Sequence, residues 1–139
     1  MPDDARRTAR TLVAVGDSTL VPFLERRPGC AKHVVNEDAA FQLSIYRLEP
    51  GARLPAHSHT RSHDIFVGVK GRVRIRFPAQ GRAAPFLLGA GGVCSVPPGV
   101  RHELVNADSR RPAVFVLVHA PYGRFDIVAD EGIGRIGEG

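Results

Sequence analysis

Residues 51 to 71 read GARLPAHSHTRSHDIFVGVKG. Three of the chain's six histidines, His57, His59 and His63, crowd together with the carboxylate Asp64 directly ahead of the apolar run IFVGV at 65 to 69. His57 and His59 are two apart, so on an extended segment both side chains point to the same face and can share one metal ion. The four residues between His59 and Asp64 let the chain turn and bring a carboxylate back towards the pair at the start of the next strand. From Asp64 the inward parity runs through Phe66 and Gly68, while Ile65, Val67 and Val69 face the opposite layer. His63 has the opposite parity from Asp64 and is expected to point away, remaining the alternative ligand if the turn is irregular.

Outward from this stretch the pattern stays that of short strands. FQLSIYRL at 41 to 48, IFVGVK at 65 to 70, RVRIRF at 72 to 77, FLL at 86 to 88, VCSV at 93 to 96, HELVN at 102 to 106 and AVFVLVH at 113 to 119 are the predicted strands. EPGARLP, AQGRAAP, GAGG, PPG and DSRRP separate them with Gly, Pro and Asp turn chemistry. Many short strands at roughly ten-residue spacing predict an all-β sandwich, jelly roll or barrel. No repeat or low-complexity tract interrupts the series, and the glycine-rich tail GIGRIGEG at 132 to 139 is expected to be mobile.

A chain of 139 residues is one domain's worth, and 43% hydrophobic with 24% charged residues is the composition of an ordinary globular unit. It contains no apolar run of about 18 to 20 residues for a transmembrane helix. The first residues, MPDDARRTARTLVAV, lack a basic stretch followed by an apolar core and cleavage site, so a cytoplasmic protein is expected. Two cysteines, Cys30 and Cys94, read as reduced thiols rather than a disulfide framework. The formal charge of +5 is spread along the chain. Its one ordered set, Arg72, Arg74 and Arg76, alternates with Val73, Ile75 and Phe77 as a half-buried strand requires, so neither a nucleic-acid nor a membrane partner is expected.

A third nitrogen for the metal comes from PPGVRH at 97 to 102, where a Pro-Pro-Gly turn delivers His102 to the start of a strand with Leu104 and Asn106 on the same face. A histidine pair, a carboxylate and a third imidazole make a mixed N/O shell with open positions, suited to a divalent first-row metal.

Here the sequence resembles a family. GARLPAHSHTRSHDIFVGVKG looks like the first cupin motif, G-x5-H-x-H-x4-E-x6-G, with Gly51, His57, His59 and Gly71 in register and Asp64 at the glutamate position. GGVCSVPPGVRHELVN at 91 to 106 resembles the second, G-x5-P-x-G-x2-H-x3-N, matching at Gly91, Pro97, Gly99, His102 and Asn106. The resemblance implies a single cupin domain over residues 1 to 139, a double-stranded β-helix or jelly-roll barrel with a short N-terminal extension, often dimeric. A homodimer is therefore expected. It also implies His57, His59, Asp64 and His102 as ligands of one divalent transition metal per subunit, whether iron, nickel, manganese or zinc. The departure is Asp64, one methylene shorter than the glutamate of the motif.

Tyr46 shares parity with Gln42 and Ser44 on a polar face that lines a pocket or meets water. Phe66, Gly68 and Leu104 are expected to line a substrate pocket, with Gly68 opening volume beside the metal. His33 reads as a solvated histidine, His119 as a hydrogen-bonded strand end and Glu103 as surface. No general base stands out. Because cupins include dioxygenases, isomerases, cyclases, decarboxylases, lyases and non-catalytic binding modules, function has to be argued from the site. The leading expectation is a dioxygenase-type enzyme acting on a small organic substrate. The alternatives are a non-redox cyclase, isomerase or lyase, and a small-molecule or metal-binding module without catalysis. No helix-turn-helix segment points to a transcription factor.

Overall fold

The structure is a computed structural model that describes residues 13–78, 84–123 and 126–129. The N-terminal extension up to residue 12, residues 79–83 of the AQGRAAP turn and the glycine-rich tail lie outside the described residues. Among the described residues eleven strands follow in chain order: β1 (Leu24–Arg27), β2 (Cys30–Glu37), β3 (Gln42–Leu48), β4 (Arg53–His59), β5 (His63–Lys70), β6 (Val73–Arg76), β7 (Phe86–Leu88), β8 (Val93–Val96), β9 (His102–Asn106), β10 (Ala113–Ala120) and β11 (Ile127–Ala129). They form two antiparallel sheets, one ordered β1-β2-β3-β10-β5-β8 and the other β11-β4-β9-β6-β7. This is the all-β jelly-roll barrel expected from the sequence. No helix among the described residues is long and apolar enough to cross a membrane.

All seven predicted strands are present, within two residues at their ends. Four others went unread. β1 and β11 are short, and β2 carries the polar sequence CAKHVVNE, which gives little periodic signal. β4 begins at Arg53, inside what reads as a turn, because Pro55 looks like punctuation. Pro55 is accommodated by a bulge: the pairing with β9 runs Leu54↔Leu104 and then His57↔His102, a one-residue slip between the two. A proline lacks the N–H that a regular ladder needs, and a bulge removes that need. The slip resets the parity, so Leu54 and Ala56 are buried together with His57 and His59.

Between the sheets, Tyr46, Leu48, Leu54, Phe66, Ile75, Leu104 and Phe115 make the core. Tyr46 stacks on Phe115 with ring centroids 5.1 Å apart, and Phe66 meets Phe115 edge-on at 5.7 Å. On β6, Val73 and Ile75 face inward while Arg74 and Arg76 face solvent, the alternation expected of this strand. Cys30 and Cys94 are free, and burial pushes the Cys30 thiol up to about 11, which keeps it protonated and inert.

The glycines of both motifs hold the turns. Gly51, Gly71, Gly91 and Gly99 all have φ between 70° and 83°. At Gly71 a Cβ would also lie 2.7 Å from the Pro112 carbonyl oxygen, so both conformation and space exclude a side chain. Asn106 closes the other end of the second motif: its amide donates to the carbonyls of Leu48 and Arg111, and its oxygen accepts from the Asp108 N–H.

Candidate functional site

Both sheets contribute to one cluster. β4 supplies His57 and His59, β9 supplies His102, and across the barrel β5 supplies Asp64. All four side chains are buried, and one donor atom from each lies within 4.8 Å of the others. The sequence-predicted ligand positions are thus brought together. His63, one step along β5, is exposed, as strand alternation requires.

Local structure aims the imidazoles. His57 Nδ1–H donates to the Pro55 carbonyl at 2.9 Å, across the bulge, and His102 Nδ1–H donates to the Val100 carbonyl at 3.0 Å, within the turn of the second motif. His59 Nδ1 lies 3.3 Å from Asp126 Oδ1. Carbonyl and carboxylate oxygens only accept, so each Nδ1 carries a proton, which leaves Nε2 as the nitrogen turned into the site. The Gly99 N–H also donates to the His59 carbonyl at 2.7 Å, tying the turn before His102 to the strand that carries the histidine pair.

Those three Nε2 atoms converge on a single oxygen. Asp64 Oδ2 is 2.9 Å from His102, 3.0 Å from His59 and 3.8 Å from His57. Three lone pairs around one carboxylate oxygen, away from water, repel unless protons or a cation lie among them. Burial opposes protonation, and it holds the His57 imidazole below its ordinary pKa. Burial pulls His59 the same way, but the carboxylates of Asp64 and Asp126 outweigh it and raise that ring. For Asp64 burial alone would favour the neutral acid, yet the surrounding imidazoles, His102 and His119 foremost, hold it well below the usual carboxylate range. The result is an N3O donor set around a permanent negative charge. It fits a divalent first-row transition metal.

Two residues passed over in the sequence complete the arrangement. His119 is directly opposite Asp64 in the β10–β5 register, and its Nδ1–H donates to Asp64 Oδ1 at 2.6 Å, leaving Oδ2 turned to the other histidines. Its reading as a hydrogen-bonded strand end is right as to the bond and silent on the partner. A usable signal existed: Ala113, Phe115, Leu117 and His119 share one parity, so an inward strand carries the histidine inward. Asp126, just before β11, accepts from the Ser62 backbone N–H at 3.0 Å and from the Ser62 hydroxyl. It lies 62 residues beyond Asp64 (126 − 64) with no motif around it, and nothing in the sequence points to it. His59, His119 and Asp126 also bring donor atoms within 4.8 Å of one another, but this trio is one donor poorer and shares His59 with the first.

A pocket of about 600 Å³, counted with its open mouth, extends from the cluster. Tyr46, Phe66, Leu54 and Leu117 wall it, with Gln42, Lys32, His119 and Tyr122 at its polar positions. The two remaining expectations for the lining need correction. Leu104 is fully buried in the core and does not reach the pocket, which Leu54, its partner across β4 and β9, walls instead. Gly68 opens no volume: the turn between β7 and β8 folds over it, and a Cβ there would lie 1.9 Å from the Gly89 carbonyl oxygen. Glycine serves there for close backbone approach rather than for ligand space.

The family model described as a cupin domain matches residues 44–119, more than half of the chain. No curated protein matches its sequence. Among solved structures it is similar to the polyketide cyclase RemF of Streptomyces resistomycificus, with a TM-score of 0.68 at 21% identity over 85% of either chain. It is also similar to an uncharacterised conserved protein with a double-stranded β-helix domain from Klebsiella pneumoniae, with a TM-score of 0.64 at 24% identity over 76% of this chain and 88% of that one. An RmlC-like cupin of Shewanella frigidimarina gives a TM-score of 0.64 at 17% identity, covering 77% and 89% of the respective chains. At these identities the likeness speaks to the fold.

Proposed function

From the premise that the chain belongs to the cupin family, we propose that it is a metal-dependent enzyme acting on a small organic substrate, with dioxygenase-type oxidation as the reaction. The observation that carries this reading is the convergence of three Nε2 lone pairs on Asp64 Oδ2 at the head of a largely apolar pocket. A bound divalent ion supplies a positive charge that binds and polarises a substrate oxygen.

The chain's own groups do the rest. His57, His59, Asp64 and His102 are the ligands, Asp126 holds the proton on His59 Nδ1, and His119 fixes the rotation of the Asp64 carboxylate. Phe66, Leu54 and Leu117 exclude water and grip an apolar body. Burial pushes the Tyr46 phenol far up, so it stays a neutral hydrogen-bond donor. Oxygen uptake by the iron(II)-loaded protein over a panel of small catechols and enolisable diketones tests the proposal, with uptake expected to stop when a chelator removes the metal. Turnover that proceeds unchanged without oxygen would overturn the dioxygenase reading.

A second reading is favoured by the likeness to a polyketide cyclase, which spans 85% of this chain. In it the site performs a non-redox cyclisation or isomerisation, and anaerobic turnover is its expected signature.

The ligand assignment makes its own prediction within HSHTRSHD. Asp64→Asn removes the one negative charge from the donor set and is expected to weaken the metal by at least about 100-fold, the upper range for changes merely beside a ligand. His63→Gln, on an exposed side chain, should leave affinity within about 3-fold, a surface-sized effect. Competition against a fluorescent chelator measures both, and the reverse ranking would make His63 the ligand.

A further inference from the structure

His59 has two ring nitrogens, and each faces its own group of donors. Nε2 belongs to the cluster around Asp64, whereas Nδ1 looks the other way, towards Asp126 and His119. Three strands bring this second group together. His59 ends β4, His119 lies near the end of β10, and Asp126 immediately precedes β11, which pairs with β4 at Ile127↔His59. All three side chains are buried, and all three line the pocket, so the group opens onto the same cavity as the first.

The other atoms of these residues are already engaged. Asp126 Oδ2 accepts from the backbone N–H groups of Arg61 and Ser62 and from the Ser62 hydroxyl, which turns Oδ1 to the two imidazoles. His119 Nδ1–H donates to Asp64 Oδ1 at 2.6 Å, which leaves Nε2 as the nitrogen facing Asp126. Asp126 Oδ1 is then 3.3 Å from His59 Nδ1 and 3.6 Å from His119 Nε2. The longer separation exceeds a hydrogen bond. Donors placed tetrahedrally about 2.1 Å from a zinc ion stand about 3.4 Å from one another, so the two separations bracket the spacing that an ion between these atoms requires.

We propose that His59, His119 and Asp126 form a second divalent-metal site, joined to the first through the His59 ring. The inference goes beyond the metal-dependent reading and rests on it, because His59 takes the first ion through Nε2. With one ion seated, Asp126 holds the proton on His59 Nδ1. The second ion takes that proton's place, the proton leaves to solvent, and the ring becomes an imidazolate with one ion on each nitrogen. Two nitrogens and a carboxylate oxygen suit zinc or copper(II).

Zinc titrated by calorimetry into the metal-free chain tests the stoichiometry, and copper(II) followed by electron paramagnetic resonance tests the bridge. Two uptake events are expected, the second at least about 10-fold weaker, since a missing donor costs no less than a change beside one. Dialysis should therefore leave only the first ion. The copper signal is expected to rise through the first equivalent and fall through the second, because an imidazolate couples the spins of the ions it joins. Asp126→Asn and His119→Gln should each abolish the second event and the fall in signal, with the first ion still bound though up to about 100-fold more weakly. Glutamine keeps an N–H for Asp64 Oδ1 and loses the imidazole nitrogen. Circular dichroism checks both folds; either variant decides if the other unfolds, and the copper signal of the unaltered protein decides if neither folds.

A single uptake event, a copper signal that grows through both equivalents, or a second event that survives either variant overturns the second site and leaves the first intact. If the chain takes up neither ion, the metal-dependent reading falls and the second site falls with it.

Discussion

Replacing His57 and His102 together by alanine is expected to reduce bound divalent metal from about one equivalent per chain to below about a tenth, since changes merely adjacent to ligands already cost 10- to 100-fold. The two residues are cross-strand partners on β4 and β9 with ring centroids 4.4 Å apart, and they supply two of the three converging Nε2 atoms. What remains, His59 and Asp64, is a two-donor site open to competition from water and buffer. Elemental analysis after dialysis measures the loss. His33→Ala and His63→Ala serve as comparisons, because both side chains lie outside the cluster. Full metal content in the double variant, with the fold intact by circular dichroism, would overturn the assignment of His57 and His102 as ligands and the metal-dependent function that rests on it.

The second large effect concerns stability rather than metal. Gly68→Ala is expected to destabilise the barrel by about 3 kcal/mol, the upper range for forcing atoms into a packed interior. That is a large share of the roughly 5 to 15 kcal/mol that holds an ordinary domain together. The clash is with backbone: the added Cβ would sit 1.9 Å from the Gly89 oxygen and 2.7 Å from its carbonyl carbon, in a turn held by Gly68 N–H donating to Gly92 and Gly91 N–H donating to Gly68. No side-chain rotation relieves it, so β5 and the β7–β8 turn must separate. A fall in melting temperature of about 10 °C or more is the expected reading for a domain of this size. Gly68→Leu, which the sequence alone would offer as a way to fill the pocket, is expected to unfold the protein instead. A melting temperature within about 2 °C of the parent for Gly68→Ala would mean the turn does not close over β5 as described.

The histidine pair and Gly68 mark where the sequence is legible and where it is not. Period-two alternation arises from the geometry of a single strand, so 42 to 48, 65 to 70, 73 to 76, 102 to 106 and 113 to 119 could be read without knowing their neighbours. The same local rule separated Asp64 from His63. The motif spacing did likewise for His57, His59 and His102, because their turns are built from glycines and prolines whose conformational limits are their own.

Long-range pairing decided the remainder. Pro55 reads as a turn and becomes a bulge only because β9 lies alongside to set the slip in register. Lys32 and His119 face inward because β3 and β5 pair beside them, and Asp126 reaches His59 because β11 returns to β4. Gly68 looks like open space along its own strand and is filled by a turn more than twenty residues away in sequence. Alternation tells which residues share a face; where two sheets close, and which backbone then occupies the gap, depends on hydrogen bonds between segments that no local pattern encodes.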